Sequence, residues 1–180
     1  MWPLAIIGAV VVYFAQLLSS HILVAEHTQN TRSNSNITAR FSDYAVAARQ
    51  AWSDRGNPAK VDILGADIST ALGTLNMAWQ TPEKWCDSPP SKGCWWGAHI
   101  ESGQVYIYRL DPAAGQGNTS PLLLGAMGEL AAQHGVPDSV GFVSKDHMLV
   151  DAEGKQIAST PVPNALPAGA LALAVPLVKD

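Results

Sequence analysis

The sequence predicts an α+β fold: an N-terminal transmembrane helix, then one small domain with a mostly antiparallel sheet and two main helices. Three observations favour this fold class. The chain opens with an uncharged apolar stretch, residues 2–18. Two later segments, 41–52 and 120–134, have the apolar spacing or end signals of helices. The remaining apolar runs are short and are separated by turns, in keeping with 15 glycines and 12 prolines.

Residues 1–25 are predicted to form the transmembrane anchor. A helix over 2–18 would be about 26 Å long, and continuing it to Val24 would match a hydrocarbon core of about 30 Å. Residues 2–24 would then contact the membrane, and 26–37, rich in Asn, Ser and Thr, would form a polar tether. Cleavage as a secretory signal stays an alternative, although a signal needs a basic start and the first basic residue is Arg32. A buried core helix is a further alternative, but it would show a polar stripe.

The remaining residues, 38–180, are enough for one domain with its own core. The chain has 11 Lys and Arg residues against 15 Asp and Glu, a net charge of -4, and its basic residues never form a run. Nucleic acid is therefore not a predicted partner.

The first element of the domain is predicted to be an amphipathic helix. Its apolar side chains recur at helical spacing, and Gly56, Asn57 and Pro58 end it. These apolar side chains are Phe41, Tyr44, Ala45, Ala48 and Trp52. The segment 60–80 is harder to interpret, with a short strand at 61–64 and a turn of helix near Asp67 or Ser69.

A β-hairpin is the clearest strand signal. Residues 95–100 and 104–110 flank a turn containing Gly103, and Val105 and Ile107 alternate with tyrosines. Ser120 and Pro121 then begin a helix that ends near His134.

The last third is predicted to be a meander of short strands. They cover 140–144, 148–150 and 157–160, and the final strand covers 170–178. Because the final run is apolar on both faces, we expect it to lie inside the sheet.

Cys86 and Cys94 are the only cysteines, and they flank a loop that contains Pro-Pro and Gly. In an oxidising compartment this pattern favours one disulfide. Free thiols are the first alternative. Zinc is the second, but it would need two further ligands, and no suitable Cys pair or His spacing follows.

No catalytic, cofactor-binding or metal-binding residue is predicted, and the chain is not expected to be an enzyme. The five histidines show no spacing for a metal or for a base beside a nucleophile. The sequence has neither a phosphate-binding glycine loop nor a nucleophile elbow. As possible interface residues we single out Trp95, Trp96, Tyr106 and Tyr108, although such side chains more often belong to a core.

Three segments carry a resemblance to a known family: FSDYAVAARQAW, SGQVYIYRLDP and LPAGALALAVP. With the apolar N-terminus and the helix after the hairpin, they follow the order found in the PilM family of type IV pilus biogenesis proteins. That family is encoded with type IVb pilus operons, including those for conjugative pili. The resemblance covers most of the chain but not the cysteine loop.

The resemblance implies a non-catalytic component of type IV pilus assembly that contacts other pilus assembly proteins. It implies a single-pass protein of the bacterial inner membrane with its C-terminal domain in the periplasm. The alternative is a minor pilin or pilin-like subunit of the fibre, but no basic residue precedes Gly8 and the fifth position after it is Tyr13, not Glu. An unrelated membrane-anchored binding domain and an enzyme are the remaining possibilities. The oligomeric state and the pilus component contacted are left open.

Overall fold

A computed structural model describes residues 36–77, 84–87, 94–111, 120–134, 139–159 and 161–177. It contains three helices and six strands in these residues. The helices are α1 (36–54), α2 (Gly65–Thr74) and α3 (Pro121–His134). The strands are β1 (Lys60–Ile63), β2 (Trp96–Glu101), β3 (Gln104–Arg109), β4 (Val140–Val143), β5 (Leu149–Val150) and β6 (Leu171–Pro176).

The six strands form one antiparallel sheet in the order β1-β2-β3-β6-β4-β5. β2 and β3 are joined by a two-residue turn in which Ser102 and Gly103 both have positive φ, at 54° and 73°. Such turns match the twist of a hairpin, and glycine adopts them without a steric cost. β6 pairs with β3 on one side and with β4 on the other, so the last strand lies inside the sheet.

All three helices pack against one face of the sheet. Alternate residues of each strand point to that face and form a core with the helices. The sheet contributes buried side chains such as Trp96, Ile100 and Ile107 to this core. α1 contributes Phe41 and Tyr44, whose rings meet the Trp96 ring edge-on, with centroids 4.9 and 5.0 Å apart. Edge-on aromatic pairs of this kind stabilise a core beyond the area that they bury.

The opposite face of the sheet carries a second, smaller core. It includes the Cys86–Cys94 disulfide at one end and, at the other, residues from the long connection between β5 and β6. The connection contributes Val162, Leu166 and Ala170. No helix belongs to this second core in the described part of the chain, and we call this side the helix-free face.

Much of the predicted domain is confirmed. The α1 stripe is buried apart from Trp52, which is partly buried, the hairpin and the helix at 121–134 are present, and the final strand is internal. Two expectations are wrong. A third helix, α2, replaces the single predicted turn near Asp67, and residues 157–159 form no strand, since only Gln156 makes an isolated bridge to Val150.

The fold prediction also needs a correction at its N-terminal part. None of the helices in the described residues is long and apolar enough to cross a membrane. α1 carries Arg40, Asp43 and Arg49, and the 14 residues of α3 span about 21 Å against a hydrocarbon core of about 30 Å. The predicted transmembrane helix, and with it the single-pass inner-membrane localisation, is therefore not supported. The residues on which that prediction fell, 1–25, lie outside the described residues, as does most of the predicted tether, 26–37.

Candidate functional site

Two groups of polar side chains lie at opposite ends of the β2–β3 hairpin. One surrounds His99 on the helix-free face, near the edge of the sheet. The other lines a cleft beside Trp95, where the hairpin meets α1 and α3.

His99 lies between two carboxylates. Its side chain is 2% exposed, its Nδ1 lies 2.6 Å from Asp62 Oδ1, and its Nε2 lies 3.2 Å from Glu101 Oε2. Strand register explains the arrangement, because His99 is paired with Asp62 across β1 and β2, and Glu101 follows two residues later on the same face. Lys60 Nζ closes the group with an ion pair to Glu101 Oε1 at 3.0 Å.

The contacts around His99 tie β1 to β2 at the edge of the sheet. Both ring nitrogens face carboxylate oxygens, so both contacts are hydrogen bonds only when the ring carries two protons. In that form neither nitrogen is open to a substrate. Hydrogen bonds from Lys60 and then from His99 lower the pKa of Glu101, which keeps this carboxylate charged.

Tyr108 lies further along the same face and is deeply buried. Its ring packs across Gly97, its partner on β2, and any side chain on Gly97 would overlap the ring. Desolvation, followed by the charges of Asp62 and Asp87, raises the pKa of Tyr108 to about 12. Tyr106, two residues earlier, is also buried, and desolvation raises its pKa too.

The predicted disulfide is confirmed, since the Sγ atoms of Cys86 and Cys94 are bonded. The bond holds residues 84–87 beside the start of β2. Backbone hydrogen bonds run from Trp95 N to the Lys84 carbonyl at 2.7 Å and from Cys86 N to the Trp96 carbonyl at 2.5 Å. Asp87 Oδ1 accepts a hydrogen bond of 2.7 Å from Gly65 N in the first turn of α2. The disulfide segment therefore fixes Trp95 and α2 relative to the sheet.

The second group lines a cleft of about 240 Å³, which we call the Trp95 cleft. Its lining residues come from α1, from the hairpin and from α3. They are Asn36, Ile37, Arg40, Trp95, Trp96, Arg109 and Leu122. Trp95 is half-buried, whereas Trp96 is fully buried beneath it.

Cations surround the two indole rings of the Trp95 cleft. Lys84 Nζ lies 4.4 Å from the centre of the Trp95 ring. Arg109 Cζ lies 5.7 Å from that ring and 5.1 Å from the ring of Trp96. These are cation–π distances, and they place two positive charges beside the indole rings.

The four predicted interface residues fall into two groups. Trp95 and Trp96 line the Trp95 cleft, and of the four only Trp95 has substantial exposure. Tyr106 and Tyr108 belong to the core of the helix-free face, 6% and 5% exposed. The two tryptophans and the two tyrosines therefore lie on opposite sides of the sheet.

Sequence reasoning missed the group around His99 and the two arginines of the Trp95 cleft. The group around His99 could have been found from the sequence. Antiparallel pairing of the short strand near Val61 with the hairpin places Asp62 opposite His99. No comparable signal existed for Arg40 and Arg109, which are 69 positions apart and meet only because α1 packs on the sheet.

Within the described ranges no group of three or more His, Cys, Asp or Glu side chains could hold a metal ion. Comparison with protein-family models, with curated proteins and with solved structures gave no match for this chain.

Proposed function

We propose that this protein is a non-catalytic component of type IV pilus assembly that acts by contacting other proteins of the assembly. The observation that carries the proposal is the Trp95 cleft. It combines a half-buried tryptophan with two arginines, Arg40 and Arg109. Tryptophan and arginine are the side chains most enriched among residues that dominate protein–protein binding energy.

The resemblance to the PilM family supports the pilus part of the proposal. Its three quoted segments correspond to α1, to the β3 side of the hairpin and to β6. β3 and β6 are neighbours at the centre of the sheet, and α1 packs against the same core. The segments that resemble the family therefore belong to one packed unit.

Genetic complementation tests the role in pilus assembly. Deleting the gene in the host bacterium should reduce the number of pili counted by electron microscopy, and the wild-type gene should restore it. Finding no change in pilus number after deletion would refute a role in assembly. Finding the protein in sheared pili at the abundance of a subunit would instead support the minor-pilin alternative.

Point variants test whether the cleft makes the contact. Trp95→Ala should fail to restore pili, whereas Val46→Ala, which shortens the exposed apolar side chain of α1 outside the cleft, should restore them. Because Trp95 is half-buried, thermal unfolding of both purified variants separates lost binding from lost folding. Full complementation by a folded Trp95→Ala protein would exclude the cleft as the contact surface.

A further inference from the structure

A cavity of about 220 Å³ opens on the helix-free face of the sheet, and we call it the Tyr106 cavity. Residues of β3, β5 and β6 form one wall, and the long connection between β5 and β6 forms the other. Gln104 and Ser159 in this lining are exposed, so solvent reaches the cavity. The helices and the Trp95 cleft lie on the other side of the sheet.

Tyr106 brings an unused hydroxyl to this cavity. Although Tyr106 is only 6% exposed, its hydroxyl makes no hydrogen bond to the described residues and, unlike the indole nitrogens of Trp95 and Trp96, it is not closed off from solvent. Burial, followed by the charge of Glu101, raises the pKa of Tyr106, so the phenol keeps its proton. The hydroxyl can therefore both donate and accept a hydrogen bond.

Two further polar side chains of the lining have the same double capacity. The Gln104 amide and the Ser159 hydroxyl can each donate and accept, and neither makes a hydrogen bond within the described ranges. Together with Tyr106 they match a ligand group that also carries both a donor and an acceptor. A secondary amide is such a group, and it is the repeating polar group of a polypeptide backbone.

The other lining residues are apolar and make the cavity unfavourable for a charged group. They are Leu149, Ala158, Pro161, Val162 and Ala174. No charged side chain is among the lining residues that the structure describes, so an ion entering the cavity would lose water without meeting an opposite charge. The Glu101 carboxylate, whose charge acts on Tyr106, further disfavours an anion. An aliphatic side chain instead gains by leaving water.

The volume of the cavity limits the ligand to about one residue. A cavity of about 150 Å³ holds one benzene molecule, and pockets for drug-sized ligands span roughly 300–1,000 Å³. At about 220 Å³, the Tyr106 cavity has room for a branched aliphatic side chain and its adjoining amide. Since the cavity opens to solvent, a chain can continue outside it on either side of that residue.

We infer that the Tyr106 cavity binds one aliphatic residue, such as leucine, of a partner polypeptide. The aliphatic side chain packs against the apolar lining, and its backbone amide forms hydrogen bonds with the Tyr106 hydroxyl and the Gln104 amide. This inference goes beyond the proposed function, because it names a second protein-binding surface across the sheet from the Trp95 cleft and does not require a role in pili.

Titration of the full chain with Ac-Leu-NHCH₃, followed by ¹³C-methyl NMR, tests this inference. The methyl signals of Leu149 and Val162 should shift along one saturation curve, while those of Val46 on α1 should stay in place. A ligand of this size is expected to bind with a Kd in the millimolar range. The matched controls are Ac-Gly-NHCH₃, which lacks the side chain, and Ac-Glu-NHCH₃, which carries a charge, and both should bind at least fivefold more weakly. Equal affinity for the three compounds, or no shift of the Leu149 and Val162 signals, would overturn the inference.

Two tyrosine variants test the hydrogen bond. Tyr106→Phe should weaken Ac-Leu-NHCH₃ about fivefold, which is the effect of losing one neutral hydrogen bond. Tyr108→Phe is the matched control and should leave the affinity unchanged, because Tyr108 is buried on the same face but is not part of the lining. Unchanged affinity in Tyr106→Phe would refute the assignment of the amide to this cavity.

Two alanine variants test the location. Ala158→Leu should abolish binding because the larger side chain fills the cavity, whereas Ala152→Leu, in an exposed turn outside it, should bind as the wild type does. Thermal unfolding shows whether each variant is folded, and the tyrosine pair decides the question if Ala158→Leu is not. Wild-type affinity in a folded Ala158→Leu protein would show that the probe binds elsewhere. Neither pair of variants depends on pili, so these results and the complementation results can fail separately.

Discussion

Gly97 and Tyr108 lie opposite each other on β2 and β3, and the Tyr108 ring occupies the space that a Cβ on Gly97 would need. A Cβ at position 97 would overlap both the ring and the hydroxyl oxygen of Tyr108. Gly97 therefore permits the close approach that buries Tyr108 beside the disulfide segment. A glycine is required at this position because it has no side chain. Its backbone conformation does not require glycine, since its φ is not in the left-handed region.

Gly97→Ala should lower the free energy of unfolding by about 1–3 kcal/mol, the usual cost of overpacking a core. Urea denaturation measures the change. The matched control is Gly128→Ala in α3, where an added Cβ meets nothing within 4 Å. That control should raise stability by about 0.5–1 kcal/mol because alanine favours a helix. Equal effects of the two substitutions would show that Tyr108 does not pack on Gly97.

Tyr108 should make the protein less stable at alkaline pH. Its pKa is raised to about 12, whereas an unfolded tyrosine ionises near 10. The folded state then holds a proton that the unfolded state has released. This stabilisation is fully present below about pH 10 and is lost as the pH rises through about 12.

Absorbance titration at about 295 nm measures this ionisation directly. The difference between wild type and Tyr108→Phe should titrate near pH 12, as long as the protein stays folded. A difference that titrates near pH 10 would contradict the burial of the phenol.

Lys60→Gln should raise the pKa of Glu101 toward its usual value, because the hydrogen bond from Lys60 is the largest cause of its lowering. A carboxylate with a lowered pKa adds stability above its unfolded pKa, and this is lost as the pH falls through the folded value. The variant should therefore lose less stability than the wild type as the pH falls into the acid range. The Glu101 carboxyl ¹³C shift, followed by NMR against pH, checks the direction. The control is Lys155→Gln, which changes an exposed lysine outside the strands and should leave the pKa of Glu101 unchanged.

Replacing both cysteines by serine should destabilise the domain. The loop-entropy treatment assigns about 2–3 kcal/mol to closing a loop as short as that between Cys86 and Cys94. Because residues 84–87 pair with the start of β2, the loss should be accompanied by a changed environment of Trp95. Thermal unfolding and tryptophan fluorescence measure the two effects, and wild type treated with a reductant should behave like the double variant. An unchanged melting temperature would contradict a stabilising role.

The parts of the fold that sequence reasoning predicted correctly depend on local patterns. The α1 stripe repeats with the helical period, and the hairpin strands alternate around a turn that favours glycine at 103. The internal position of β6 follows from its apolar character on both faces. Each of these signals is contained in fewer than 20 neighbouring residues.

The parts that were wrong depend on distant contacts. The sequence around α2 contains only a weak helix signal. The helix is held in place by the Arg55–Asp67 ion pair of 2.5 Å and by the hydrogen bond from Gly65 N to Asp87 Oδ1. The sequence of residues 157–159 has the pattern of a strand, but these residues form none. Only the neighbouring Gln156 makes an isolated β-bridge, to Val150. The Trp95 cleft joins three elements that are remote in sequence, so no window along the chain could reveal it.

The placement of β6 has a consequence for how the protein is made. β1, β2 and β3 can pair as soon as each has left the ribosome, and β4 with β5 can form a separate hairpin. Only β6, residues 171–176, joins the two groups. Before those six residues have been added, the sheet consists of two separate groups of strands, each exposing the edge that β6 covers in the finished fold.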